Sequence, residues 1–185
     1  MSQQQLLSAI EIANSAHFGQ KRNNGIEPYL HHCIRTSVII QKHLSEYATD
    51  NVLSAAILHD SMEDCPFEDM PRIYYKIYNL CGATVAGYVD LLSKPRDFNY
   101  YSNKRYKARL AIAPKEVLVI KIADRTDNLL DISQSGWNIK KSLWYIEDSV
   151  VLYDMMTKNN LKNESRILLK SILSAQDYIK TLDIS

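Results

Sequence analysis

Glycine and proline are scarce in this chain, five of each in 185 residues, against roughly 12% for the two together in an average protein. Turns are therefore few, and long helices are favoured over a many-turned β-sandwich. Cysteine is scarcer still: Cys33, Cys65 and Cys81 are irregularly spaced, with no CxxC pair, which excludes a disulfide framework and leaves three reduced thiols as the expectation. Long hydrophobic runs are missing. The longest, residues 55–58 and 117–120, fall far short of the ~18 residues that a membrane span requires. The first residues, MSQQQLLSAIEIANSA, have neither the basic start nor the apolar block of a signal peptide, so a cytoplasmic protein with no membrane partner is expected. An excess of either charge is absent too: 22 basic and 21 acidic residues leave a net charge of +1. A globally polycationic nucleic-acid binder is thereby excluded, while a locally basic pocket is not.

What is present is ordinary in amount and informative in pattern. Hydrophobic residues make up 46% and charged residues 23%, as in soluble globular proteins. A chain of this length suits one domain, residues 1–185, burying roughly 70% of its unfolded surface without a metal or disulfide staple. Apolar spacing predicts amphipathic helices over residues 4–17 and 29–44, with the basic loop GQKRNNGIEP at 19–28 between them. A third helix starts near Thr49 or Asp50, runs into His59-Asp60 and is broken by Cys65-Pro66. Further helices are predicted over 67–80, 83–93, 99–111, 137–156 and 161–182, with SKPRDFN at 93–99 as a surface loop. The segment EVLVIKIA, residues 116–123, is ambiguous, because its β-branched composition would also suit a buried strand. No repeat or linker divides the chain.

His59-Asp60 directly follows four core-type residues and is itself followed by Glu63-Asp64. On a continuing helix, His59 and Glu63 are i,i+4 neighbours, as are Asp60 and Asp64. Carboxylates this close repel one another, and a divalent cation is the natural compensation, although a solvated helix end explains the cluster equally well. His32, in PYLHH, and Asp124, in KIADRTDN with Asn128 one turn later, are the other candidate ligands.

Taken in order, AHFGQKR (16–22), PYLHH (28–32), LSAAILHDSMED (53–64) and VIKIADRTDN (119–128) resemble the HD-domain metal-dependent phosphohydrolases, specifically the RelA/SpoT-type branch that contains the small alarmone hydrolases. The resemblance covers residues 5–132, and residues 137–182 share only helical character. It implies an all-α HD-domain fold of about eight helices and so a helix at 116–123. It also implies His32, His59, Asp60 and Asp124 as metal ligands, a mixed nitrogen and oxygen set suited to Mn²⁺ before Fe²⁺ or Zn²⁺. Glu63 and Asp64 match the pair credited with activating the attacking water.

For the substrate, the resemblance implies a small nucleotide, (p)ppGpp, losing its 3′-pyrophosphate to give GDP or GTP. Arg22 matches a nucleotide-holding arginine, Lys21 lies beside it, and Asn128 matches a nucleotide contact. Asn23 stands where lysine is common, and Cys33 where proline usually follows the ligand histidine. Lys104 and Arg105 are candidates for the opposite rim, with Lys121, Arg125, Lys140 and Lys141 ranked below them. No synthetase activity is expected from the residues after the core. The alternatives are an HD phosphohydrolase acting on another 3′-phosphorylated nucleotide or a 5′-monophosphate, and a catalytically idle nucleotide-binding module. The sequence assigns no oligomeric state.

Overall fold

The computed structural model describes residues 3–63, 65, 67–95 and 99–182. Among these it contains nine α-helices and no sheet: α1 (Gln3–Ala16), α2 (Tyr29–His43), α3 (Asp50–Leu58), α4 (Met70–Cys81), α5 (Ala83–Leu92), α6 (Tyr100–Ala111), α7 (Lys115–Leu130), α8 (Ile139–Lys158) and α9 (Arg166–Leu182). The all-α expectation holds, and the nine helices correspond to the stretches that the sequence marks, with 116–123 among them. The helix starts follow capping chemistry. Thr49 Oγ1 accepts from the Val52 amide, Asn99 and Ser102 form a reciprocal capping box, and Asn138 accepts from the Lys141 amide; each satisfies a donor that the first turn leaves without an intrahelical partner. Gly82 divides α4 from α5 at φ 92°, a backbone angle that side chains disfavour.

The centre of the fold is α7, which packs against α2, α3, α5, α8 and α9. Val117, Leu118, Val119, Ile120, Ile122 and Ala123 are all buried, so the first half of this helix is covered around its whole circumference. That settles the ambiguity of residues 116–123. Helix propensity disfavours a β-branched residue by at most ~0.7 kcal/mol, whereas burying a valine or isoleucine side chain is worth about 1.5–3 kcal/mol. One continuous core runs from Ala9 to Ile179. The three cysteines are buried without disulfides.

Of the boundaries that differ from expectation, two change the packing or the site. Helix α9 begins at Arg166 rather than Leu161, because Asn160 turns the chain at φ 61° and Leu161 drops into the core. More consequentially, α3 stops at Leu58. Residues 59–63 continue as tightened turns, with Ser61 N bonded to Leu58 O at 2.9 Å and Glu63 N to Asp60 O at 3.1 Å. The i,i+4 pairing expected of His59 with Glu63 therefore does not form on a helix; the turns separate the histidine-aspartate pair from the acid that follows.

Candidate active site

Three segments meet beside α7. His32 comes from α2, His59 and Asp60 from the end of α3, and Asp124 from α7 itself; all four side chains are buried. The ring nitrogens define the site. His32 Nδ1 lies 2.7 Å from Asp127 Oδ2, and His59 Nδ1 lies 2.8 Å from the Ala56 carbonyl oxygen. Both partners only accept, so each Nδ1 carries the proton and donates it. In each neutral imidazole the lone pair is then on Nε2, and neither Nε2 has a hydrogen-bond partner.

Those two nitrogens face carboxylates. Asp124 Oδ1 is 3.4 Å from His32 Nε2 and 3.6 Å from His59 Nε2, while Asp60 Oδ2 is 3.0 Å from His59 Nε2 and 3.7 Å from His32 Nε2. The ligand atoms of His32, His59 and Asp124 lie within 4.8 Å of one another. Lone pairs and carboxylate oxygens crowded in a buried space repel unless a cation lies among them. The donor set therefore fits a divalent metal.

Without the metal, protons provide the compensation. Burial works against the imidazolium of His32, but the carboxylates of Asp124, Asp127 and Asp60 around it prevail and raise its pKa to about 9. His59 is likewise raised, burial being outweighed by Asp60 and Asp124. Burial also opposes ionisation of Asp124, yet Lys121 and the two imidazoles hold its pKa well below the usual carboxylate range. Two imidazolium protons thus carry the charge that one divalent ion brings. Below pH 9 the ion must displace protons, so affinity should climb with pH, by up to ~100-fold per pH unit where both rings are protonated. Titration calorimetry in buffers of different ionisation enthalpy should register protons released on Mn²⁺ binding; zero release at pH 7 would contradict this picture.

The His-Asp cluster opens into a cleft of about 520 Å³ lined by Tyr29, Asp60, Glu63, Lys94, Lys121, Asp124, Arg125, Asn128, Trp144 and Tyr145, among others. Its cations are Lys94, Lys121 and Arg125. Lys121 Nζ donates to Asp124 Oδ2 at 2.6 Å, and burial of its ammonium is outweighed by that carboxylate, which keeps it charged. Lys94 Nζ lies 3.0 Å from Glu63 Oε1. Arg125 pairs with Asp148 at 2.9 Å and stacks over the Tyr145 ring. Tyr29 donates its hydroxyl to Asp60 Oδ2 at 2.7 Å.

The structure gathers some candidates from the sequence and leaves others out. Glu63 is in the cleft wall, its Oε2 also accepting from the Lys94 amide at 3.0 Å; Asp64 lies outside the described residues. Asn128 bridges two groups, donating to Asp124 Oδ1 at 2.6 Å and accepting from Arg22 at 2.8 Å. Arg22 is buried rather than reaching freely into solvent, held also by Asp131 at 3.3 Å and lying over the Tyr29 ring. Lys21 is exposed and lines a separate groove with Phe18 and Leu30. Lys104 and Arg105 are exposed on α6 and do not line the cleft. The ranking among cations is thus reversed, since α6 turns Tyr106 inward, its hydroxyl on Leu92 O at 3.0 Å, and sends Lys104 and Arg105 outward. Lys94, Trp144 and Tyr145 had no motif to mark them, and Asp127, though inside VIKIADRTDN, was not singled out.

The HD domain family model matches residues 9–143. The chain is 37% identical to "Probable GTP diphosphokinase RSH2, chloroplastic" of Oryza sativa subsp. japonica, over 69% of this chain but 18% of that one. It is 32% identical to "Bifunctional (p)ppGpp synthase/hydrolase SpoT" of Escherichia coli (strain K12), over 67% of this chain and 17% of that one. It thus spans less than a fifth of these long relatives. The Drosophila melanogaster protein named "Guanosine-3′,5′-bis(diphosphate) 3′-pyrophosphohydrolase MESH1" is 27% identical over 87% of this chain and 89% of its own. A solved structure described as "A metazoan ortholog of SpoT hydrolyzes ppGpp and plays a role in starvation responses" superposes with a TM-score of 0.70 at 24% identity, covering 95% of both chains. With the family match covering most of its length and the fold shared end to end, the chain belongs to the HD domain family.

Proposed function

We propose that this chain is a Mn²⁺-dependent cytoplasmic hydrolase that removes the 3′-pyrophosphate from (p)ppGpp. The observation that carries the reading is a buried His-His-Asp cluster at one end of a cleft that also presents Lys94, Lys121 and Arg125. Cation-binding ligands beside three positive side chains suit a substrate with clustered phosphates. The names of SpoT and MESH1 point to the alarmone within that class. His32, His59, Asp60 and Asp124 are the ligands in this reading, and their mixed nitrogen and oxygen character favours Mn²⁺.

When bound, the metal supplies Lewis acidity toward a phosphoryl oxygen and acidifies water. The chain's own groups do the rest. Lys94, Lys121 and Arg125 hold the diphosphate and offset its charge, and Asn128 fixes the nucleotide side of the cleft. Water adds to the phosphorus joined to ribose O3′, the P–O3′ bond breaks, and O3′ takes up a proton. Glu63, with Asp64, accepts the proton that the water gives up. The products are pyrophosphate and GDP or GTP.

The test is a nucleotide panel incubated with purified protein and Mn²⁺, with products separated by chromatography. The expected result is intact pyrophosphate from ppGpp and pppGpp. Single phosphate released from nucleoside monophosphates, with ppGpp untouched, would overturn the alarmone assignment.

A further inference from the structure

Helices α2 and α7 present matched pairs at the metal-ligand cluster. His32 and Arg35 are three residues apart on α2, and Asp124 and Asp127 are three apart on α7, so each pair shares a helix face. Across the interface Asp127 is gripped twice. Arg35 donates from Nε to Asp127 Oδ1 at 2.7 Å and from Nη2 to Oδ2 at 3.0 Å, and the same Oδ2 accepts from His32 Nδ1 at 2.7 Å. Arg35 is itself tied to Asp131 at 2.8 Å and to Glu27. We infer that Asp127, clamped by Arg35, is the positioning residue that holds His32 in the tautomer and ring orientation needed to ligate the divalent cation through Nε2. The inference rests on the reading of His32 as a ligand.

An ion pair that merely joined two helices would have no need to engage the imidazole. Here one carboxylate oxygen receives both the guanidinium and the ring proton, at a position 2% exposed. The contrast with His59 sharpens the point. That ring donates to a neutral carbonyl, which fixes its tautomer with little effect on basicity. A carboxylate acceptor fixes the tautomer and also makes the opposite nitrogen a better donor to the metal. His32 is thus the more strongly polarised of the two nitrogen ligands. Asp131, which accepts from both Arg35 and Arg22, connects this clamp to Asn128.

The experiment measures Mn²⁺ affinity by competition with a fluorescent chelator, alongside thermal unfolding of the metal-free protein. Asp127→Asn retains an oxygen that can accept from Nδ1 but removes the charge; affinity should fall by about 10–100-fold, as for other groups that orient metal-ligating histidines. Arg35→Gln, which leaves Asp127 in place but loosens it, should lose affinity in the same direction and to a smaller extent. A purely packing role predicts lowered melting temperatures with affinity unchanged in the folded variants, and that result would overturn the inference. If Asp127→Asn fails to fold, Arg35→Gln with wild-type affinity overturns it equally. A wild-type chain that takes up no Mn²⁺ would remove the metal reading itself and this inference with it, whereas metal-binding wild type beside an unaffected Asp127→Asn removes this inference alone.

Discussion

His59→Ala should yield a folded protein that retains no stoichiometric divalent metal after dialysis and hydrolyses ppGpp at least about 10³-fold more slowly, since a lost Lewis acid forfeits several kcal/mol of transition-state stabilisation and each ~1.4 kcal/mol is tenfold in rate. Its imidazole lies at the end of α3, where Nδ1 bonds the Ala56 carbonyl and Nε2 faces Asp60 at 3.0 Å; truncation removes a ligand, and Asp60 keeps the Tyr29 hydroxyl as a partner. Asp124 calls for a gentler substitution. Lys121 is buried against it, and Asp124→Ala would leave that ammonium without its counterion, a loss of roughly 3–5 kcal/mol. Asp124→Asn keeps an oxygen facing Lys121 while weakening the metal site, and metal analysis should show reduced occupancy. Full metal content in both His59→Ala and Asp124→Asn would refute the ligand assignment.

Much of the fold was legible because helix boundaries are written in short-range chemistry. Thr49, Asn99 and Pro114 sit where their side chains or rings dictate a helix start, and the observed helices begin directly after them. The failures came where long-range packing decided the outcome. Residues 116–123 have strand-like composition, and only the burial of 117–123 among five neighbouring helices explains the helix they form. The period likewise carries α3 through His59, but the chain tightens there, and nothing in HDSMED announces it.

The candidate site divides along the same line. His32, His59, Asp60 and Asp124 were identifiable because residue type and chain order together are restrictive, and the structure brings their donor atoms together. The cations were harder. A lysine or arginine on a helix has the same local signature whether it faces solvent or a cleft. Lys104 and Arg105 lie in a basic stretch and point outward, whereas Lys121 and Arg125 sit within the most buried helix, where a charged side chain needs a partner. Their occurrence inside an apolar run was the stronger signal. Asp127 lies inside VIKIADRTDN but its place in the site was not legible, since its contacts are with two residues more than ninety positions away.

Glu63→Gln should reduce kcat by on the order of 10²-fold or more, the scale of a lost general base, while metal content stays at the wild-type level. Glutamine can still accept from the Lys94 amide, which bonds Glu63 Oε2 at 3.0 Å, so the side chain should keep its place in the cleft wall. What it cannot do is take a proton from water. The complication is Lys94, whose ammonium is 3.0 Å from Glu63 Oε1: the variant loses both a proton acceptor and the counterion of the lysine proposed to hold phosphate. Lys94→Ala separates the two. If Glu63 acts on water, Lys94→Ala should raise KM more than it lowers kcat, whereas Glu63→Gln should lower kcat with KM unchanged or reduced, because a released Lys94 is more available to phosphate. If Glu63 served only to hold Lys94, both variants would show the same KM-dominated defect and the kcat of Glu63→Gln would match that of the wild type. Asp64→Asn, measured beside them, apportions the remaining proton transfer between the two acids, with the larger kcat loss marking the group that accepts from water.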